Sequence, residues 1–303
     1  MKRRNFLSGS LGLAGLASNL ANSTFQNNAL IRRIIPKTGE EIPAVGMGSW
    51  LTFDVWGNSS RLSNMRQVLN TFYEMGGRVV DSSPMYGSSQ RSISVLAKEL
   101  NILEDLWIST KVWTNGKESG MNQINEQVEY FSDSLMVNHV HNIRDFKTHY
   151  KTLVRAKAEG QLKYVGVTHY LNSYHDDLEN LVDAYNLDFV QINFNIANPA
   201  AADRLIPYCR DRGVAVIINR PFHAGRLFRM IDGHSLPSWA SDMGVHTWAS
   251  YFLKFILAHD GVTCAIPATT QVAHVRENME SGMGRVPSTR ERRQLLEHFR
   301  SLV

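Results

Sequence analysis

Four residues have types and positions suited to proton chemistry. Asp81 closes the apolar run "RVVDSS", Lys111 lies near the end of "LWISTKV", and His141 closes "VNHVH". Tyr86 follows Asp81 by five residues, in the polar stretch "SSPMYGSSQ". A buried lysine needs a counter-charge, and an aspartate on an adjacent strand supplies one. The ammonium of that pair favours tyrosinate, so it is expected to lower the phenol pKa and ready Tyr86 to give up its proton. A histidine within reach would orient or polarise a substrate oxygen. No Ser-His-Asp order, metal-ligand spacing or phosphate-gripping lysine loop accompanies the set. An Asp-Lys pair by itself is a common structural bridge; four such residues at equivalent strand ends point to an active site.

The chain must then supply strands that end together. Apolar runs at 44–50, 78–83, 106–112, 137–141, 163–170, 189–196, 214–219 and 263–267 alternate with amphipathic stretches, and no Pro/Gly-rich linker interrupts them. That rhythm predicts β-α units around a parallel sheet, and eight is the count of a closed (β/α)8 TIM barrel. One domain over residues 29–303 accommodates it. "KTGEE", residues 37–41, reads as an N-terminal β-hairpin turning at Gly39 and closing the barrel's bottom. Met65, Leu69, Phe72 and Met75 recur at helical spacing before Gly76-Gly77, and Ser288-Thr289 starts a last helix that carries Leu295, Leu296 and Phe299. Cys209 and Cys264 stand alone in apolar segments and read as buried thiols.

With 303 residues and 43% hydrophobic content, the chain has enough apolar side chain for a large core. The formal charge of +4 is concentrated at the start: Lys2, Arg3 and Arg4 are the charged residues of the first 23, and without them the balance is +1. A nearly neutral body excludes nucleic acid as a partner. Residues 1–28 read as an export signal: a basic start, a short apolar stretch, then small residues, with cleavage expected between about residues 21 and 28. "RRNFL" resembles the twin-arginine type, which implies passage of a folded protein through the twin-arginine export machinery to the periplasm. An uncleaved anchor is the alternative; the apolar run falls short of the roughly 18 residues of a spanning helix.

"VVDSSPMYG", "STKV", a following histidine, "GQLKYVGVTHY", "VQINF", "RPFHAGRLF" and "IPATTQVAHVREN" together, in this order, resemble the aldo-keto reductase family over nearly the whole mature chain. The resemblance implies a barrel that binds a nicotinamide cofactor, NADPH or else NADH, without a Gly-x-Gly-x-x-Gly fold. It also implies an aldehyde or ketone as small-molecule substrate, with Tyr86 as proton donor, Lys111 and Asp81 tuning it, and His141 positioning the carbonyl. It places the nicotinamide carboxamide against Thr168, His169 and Gln191, and the pyrophosphate along Arg220, Pro221, Phe222, Gly225 and Leu227. The adenine end falls at Thr269, Thr270, Glu277 and Asn278.

Three departures stand out. His169 replaces the family's usual asparagine, Asn219 replaces the tyrosine that stacks on the nicotinamide, and His274 replaces an arginine beside the 2′-phosphate, leaving Gln271 and Arg276 as substitutes. Before His141 about five residues are missing, so a truncated fourth strand is expected, and His139 becomes an alternative to His141. The shortened strand and the absent stacking aromatic also admit a catalytically weak, cofactor-holding barrel that acts as a sensor or partner-binding module.

Overall fold

Two short strands, β1 (Arg32–Ile34) and β2 (Glu41–Pro43), pair antiparallel across the turn at Gly39, whose φ of +73° suits glycine. In the computed structural model, which describes residues 29–303, this hairpin is separate from the main sheet. Ile35 and Ile42 belong to the same buried cluster as Val79, Trp107, Val137, Tyr164 and Phe189, so the hairpin seals the barrel's floor as its sequence predicts. The export-signal reading of residues 1–28 lies outside the described residues. Among those described, no helix is long and apolar enough to cross a membrane.

The main sheet has eight parallel strands in sequential order: β3 (Met47–Gly48), β4 (Val79–Asp81), β5 (Trp107–Val112), β6 (Leu135–His141), β7 (Tyr164–His169), β8 (Phe189–Asn193), β9 (Ala215–Asn219) and β10 (Cys264–Ala265). The first and last strands meet: Gly46 N donates to Ala265 O, Gly48 N to Pro267 O and Ala265 N to Ala44 O, each at 2.9 Å. A Cβ on Gly48 would lie 2.8 Å from Ile266 O, so glycine is what allows this closure. Helices α1 (Ser59–Glu74), α2 (Ser89–Glu99), α3 (Lys117–Phe131), α4 (Phe146–Ala158), α5 (His175–Ala184) and α6 (Leu205–Asp211) follow β3 to β8 in turn. After β9 come α7 (Arg226–Met230) and α8 (Trp248–Leu257), and after β10 come α9 (Val272–Ser281) and α10 (Thr289–Leu302).

The amphipathic readings place their residues well. Met65, Leu69 and Phe72 of α1 are buried, and Met75 packs against them at the helix's end. Ser288 caps α10 through a reciprocal box with Glu291, while Leu295 and Phe299 are buried. Cys209 and Cys264 are free and buried, and burial pushes both thiols up.

The fourth barrel strand corrects the expectation of truncation. β6 runs seven residues and pairs with β5 and β7 along its length. The shortening falls instead on the connection: α3 ends at Phe131 and a single 3-10 turn, Ser132–Ser134, leads directly into the strand. Alternation along β6 then sends Val137, His139 and His141 inward, while Val140 faces the helices and Asn138 donates to Gln127 Oε1 at 2.6 Å.

Candidate active site

Strand pairing puts the inward residues of β4 to β8 on shared levels. Asp81 stands opposite Ser109, Lys111 opposite His139, His141 opposite Thr168, and Thr168 opposite Gln191. Asp81 is the hub. Its Oδ2 accepts Lys111 Nζ at 2.6 Å, and its Oδ1 accepts Ser109 Oγ at 2.6 Å and Gln191 Nε2 at 2.8 Å. Lys111 Nζ also donates to Ser82 O at 2.7 Å, and its side chain is fully buried. A buried ion pair keeps its charges only when further hydrogen bonds satisfy both ends, as here.

Tyr86 reaches this pair from the loop after β4. Lys111 Nζ lies 5.3 Å from the centre of the Tyr86 ring, and the His141 ring meets that ring edge-on with centroids 6.0 Å apart. The loop is fixed from outside by Asp54, whose Oδ1 accepts Ser88 N at 2.8 Å and Ser88 Oγ at 2.6 Å. A Cβ on Gly87 would run onto that carboxylate, so the residue after Tyr86 must be glycine both for space and for its φ of +59°. Asp54 gave no signal in the sequence, because its partner lies 34 residues away.

The electrostatics differ from the sequence expectation in one respect. Burial pushes the Tyr86 phenol pKa up, and the Asp81 carboxylate adds to the rise; the Arg220 guanidinium opposes it. The net direction is upward despite the nearby Lys111 ammonium, whose salt bridge to Asp81 places an anion in the same site. Tyr86 is therefore fully protonated at neutral pH, which is the form a proton donor needs. His141 is pushed down to about 3, by burial first and then by the charges of Lys111 and His169. It is a neutral imidazole. Its Nδ1 lies 3.0 Å from Ser83 Oγ, and that hydroxyl already accepts Met85 N at 3.2 Å. With the hydroxyl proton directed at Nδ1, the ring proton sits on Nε2, where it is available as a donor; the opposite tautomer would place it on Nδ1.

His139, the alternative, sits one level deeper. It is fully buried, its Nε2 lies 3.3 Å from Ser109 Oγ, and a Cβ on Gly166 would collide with its Nδ1. His141, beside the Tyr86 ring, occupies the level of the mouth. The two serines that serve the site, Ser109 in β5 and Ser83 just after β4, went unnoticed in the sequence, since short hydroxyls there look like ordinary polar filler.

The residues read as cofactor contacts fall into three groups. Thr168 and Gln191 join the buried network, Thr168 Oγ1 donating to Gln191 Oε1 at 3.2 Å. His169 ends β7, its ring stacked on Tyr174 with centroids 3.7 Å apart. Arg220 to Gly225 form the turn after β9, where Arg220, His223, Ala224 and Gly225 all have positive φ. Within that turn Pro221 is buried, and Phe222 packs against Phe228 and Phe252. Leu227 is in the core, so its side chain packs and only its backbone is near the turn. Thr269 and Thr270 lead into α9, where Thr269 Oγ1 accepts Gln271 N at 3.1 Å as a helix-start residue. Glu277 is half-buried on α9 and Asn278 buried.

Of the aromatics near the mouth, Phe53 belongs to the core, whereas Trp50 and Trp56 are exposed and Trp113 is partly so. A groove of 430 Å³ between α3 and α4, lined by Lys117, Lys147 and Lys151 among others, lies on the outer wall and holds none of the site residues. Among the described residues no cluster of histidine, cysteine and carboxylate suits a metal ion.

Residues 44–290 match the Aldo/keto reductase family. The chain belongs to that family. The fold agrees: an aldo-keto reductase from Klebsiella pneumoniae in complex with NADPH superposes with a TM-score of 0.74 at 20% identity, covering 89% of this chain and 96% of that one. Among characterised relatives, the NADH-specific methylglyoxal reductase of Escherichia coli is 24% identical over 245 residues, 70% of this chain and 73% of its own. An uncharacterised oxidoreductase of Schizosaccharomyces pombe is 26% identical over 135 residues, 45% of this chain and 42% of its own length. Family membership and the (β/α)8 barrel are thereby established together.

Proposed function

We propose that this aldo/keto reductase family member reduces an aldehyde or ketone with NADPH or NADH, Tyr86 giving the proton. The observation that carries the reading is the convergence at the barrel's mouth of a protonated phenol, a neutral histidine and a fully bonded Lys-Asp pair. His141 Nε2–H holds the carbonyl oxygen, and Tyr86 Oη donates its proton as negative charge grows there. Lys111 and Asp81 position Tyr86 and keep a cation beneath the developing alkoxide. When bound, a reduced nicotinamide would provide the hydride that, with the proton from Tyr86, turns the carbonyl into an alcohol.

The residues present suit such a cofactor. Asn219 Oδ1, at the end of β9, is buried without a hydrogen-bond partner, which a carboxamide N–H would satisfy. In the following turn Gly225 leaves open space where a Cβ would stand, which would let a phosphate approach the backbone. Thr168, His169, Gln191 and the backbone of the turn from Arg220 to Gly225 would hold the nicotinamide and pyrophosphate; Thr269, Thr270, Glu277 and Asn278 would hold the adenine end. Both cofactors have precedent, since the Klebsiella structure holds NADPH and the Escherichia coli relative is NADH-specific.

The deciding experiment is steady-state reduction of an aldehyde panel by wild type and Tyr86→Phe, with fluorescence titration of both nucleotides. The variant should lose about 10²- to 10⁴-fold in kcat and keep cofactor binding. Binding without turnover in either form would favour the sensor reading, which the absent stacking aromatic at Asn219 still motivates but the full-length β6 does not. For residues 1–28 the proposal is twin-arginine export to the periplasm; Arg3→Lys with Arg4→Lys should leave the precursor in the cytoplasm, and unchanged fractionation would rule the pathway out.

A further inference from the structure

We propose that the substrate of this site is a carbonyl compound bearing a carboxylate, and that Arg220 is the residue that receives that carboxylate. The proposal rests on the reductase reading above and narrows its substrate class.

Arg220 follows β9 at a φ of +49°, a conformation rare for a side chain of its size, and its carbonyl is gripped by Asn195 Nδ2 at 3.1 Å and His223 N at 2.9 Å. The strained backbone aims the guanidinium. Its central carbon lies 4.1 Å from the centre of the Tyr170 ring and 5.4 Å from that of Trp50. Tyr170 follows β7 and Trp50 follows β3, strands on opposite sides of the closed barrel. The guanidinium therefore lies over the mouth, not on its rim. It is near enough for its charge to act on the Tyr86 phenol.

This charge lacks an acidic partner. Among the described residues no aspartate or glutamate forms an ion pair with Arg220, and its guanidinium is flanked by aromatic rings instead. The acids of the site are already bonded: Asp81 by Lys111, Ser109 and Gln191, and Asp54 by Ser88. Aromatic rings occupy the faces of a guanidinium and leave its N–H edges free. Those edges offer paired donors in the geometry of a carboxylate. A substrate held there has its charge above the mouth and its remaining length directed at Tyr86 and His141. A neutral carbonyl compound leaves the guanidinium without a partner.

The test compares carbonyl acids with uncharged counterparts: glyoxylate, succinic semialdehyde and 4-carboxybenzaldehyde, each against its methyl ester. In wild type at least one acid should exceed its ester by about 10-fold or more in kcat/KM, through KM. Arg220→Gln should bring that ratio close to one, and Arg220→Lys should restore part of it. Turnover of esters and acids alike in wild type overturns the carboxylate assignment and leaves the reductase reading standing. So does an Arg220→Gln variant that loses acid and ester equally while binding dinucleotide more weakly, which would make Arg220 a cofactor-phosphate residue. If no carbonyl is reduced, the reductase reading fails, and the clamp is judged by calorimetric binding of 4-carboxybenzyl alcohol against its methyl ester. Equal binding in wild type and Arg220→Gln then overturns the clamp as well.

Discussion

Asp81 serves three neighbours at once, and this shows why a strand-end carboxylate is informative. A residue that merely bridged to Lys111 would need one oxygen; here the second oxygen gathers Ser109 and Gln191. The sequence made Asp81, Lys111 and His141 legible because each is a polar side chain interrupting an apolar run, and Tyr86 because it follows one of them in a polar loop. What it could not show is direction of influence. A lysine near a phenol lowers its pKa only where burial and a neighbouring carboxylate do not outweigh it, and here both push the Tyr86 phenol up. Gln191 likewise reads as a ligand contact by position, yet its amide nitrogen already serves Asp81. Arg220 was visible as part of a cofactor turn; its place between rings from two opposite strands depends on closure of the barrel and has no local trace.

At the scale of elements, eight apolar runs were enough to identify the barrel, because period-two alternation and intervening amphipathic helices leave few other packings. The fourth strand was misjudged for a physical reason. A deletion ahead of an apolar run can shorten the strand or its approach, and residue types alone do not say which. The strand survives because both neighbours need its backbone groups: β5 and β7 pair along it from Val137 onward. The connection absorbs the loss at Ser132, with φ 44° and ψ −131°, a region that favours glycine. Ser132→Gly should relieve that strain and raise stability by about 1 kcal/mol net of the entropy glycine gains on unfolding. Urea denaturation reads this directly, and a lower midpoint in the variant would show that the turn is unstrained.

At the scale of the whole molecule, the barrel's interior holds histidines in a form that acid removes. His139 is held well below its usual pKa, by burial first and then by the charges of Lys111 and His141, while His141 is pushed down to about 3. His169 and His259 are lowered by burial as well. In the unfolded chain these imidazoles return to about 6.5, so between that pH and the folded values the unfolded state binds more protons. Stability is then fully present above about pH 6.5 and declines as pH falls towards the folded values. Each histidine contributes up to about 1.4 kcal/mol per pH unit in that window. Carboxylates enter later: Glu291, held at about 2 by Arg285 and Ser288, and the lowered Asp54 and Asp183 matter only below the ordinary carboxylate range near 4. The interval from pH 6.5 to 5 therefore isolates the histidines. Urea unfolding at pH 7, 6 and 5 should show a falling midpoint with proton uptake on unfolding. His139→Gln, which keeps a polar side chain beside Ser109 and the Gly166 gap, should flatten the fall by roughly one histidine's share. A midpoint unchanged from pH 7 to 5 would mean that the imidazoles accept protons inside the folded barrel, in which case His141 would not be the neutral donor that the site requires.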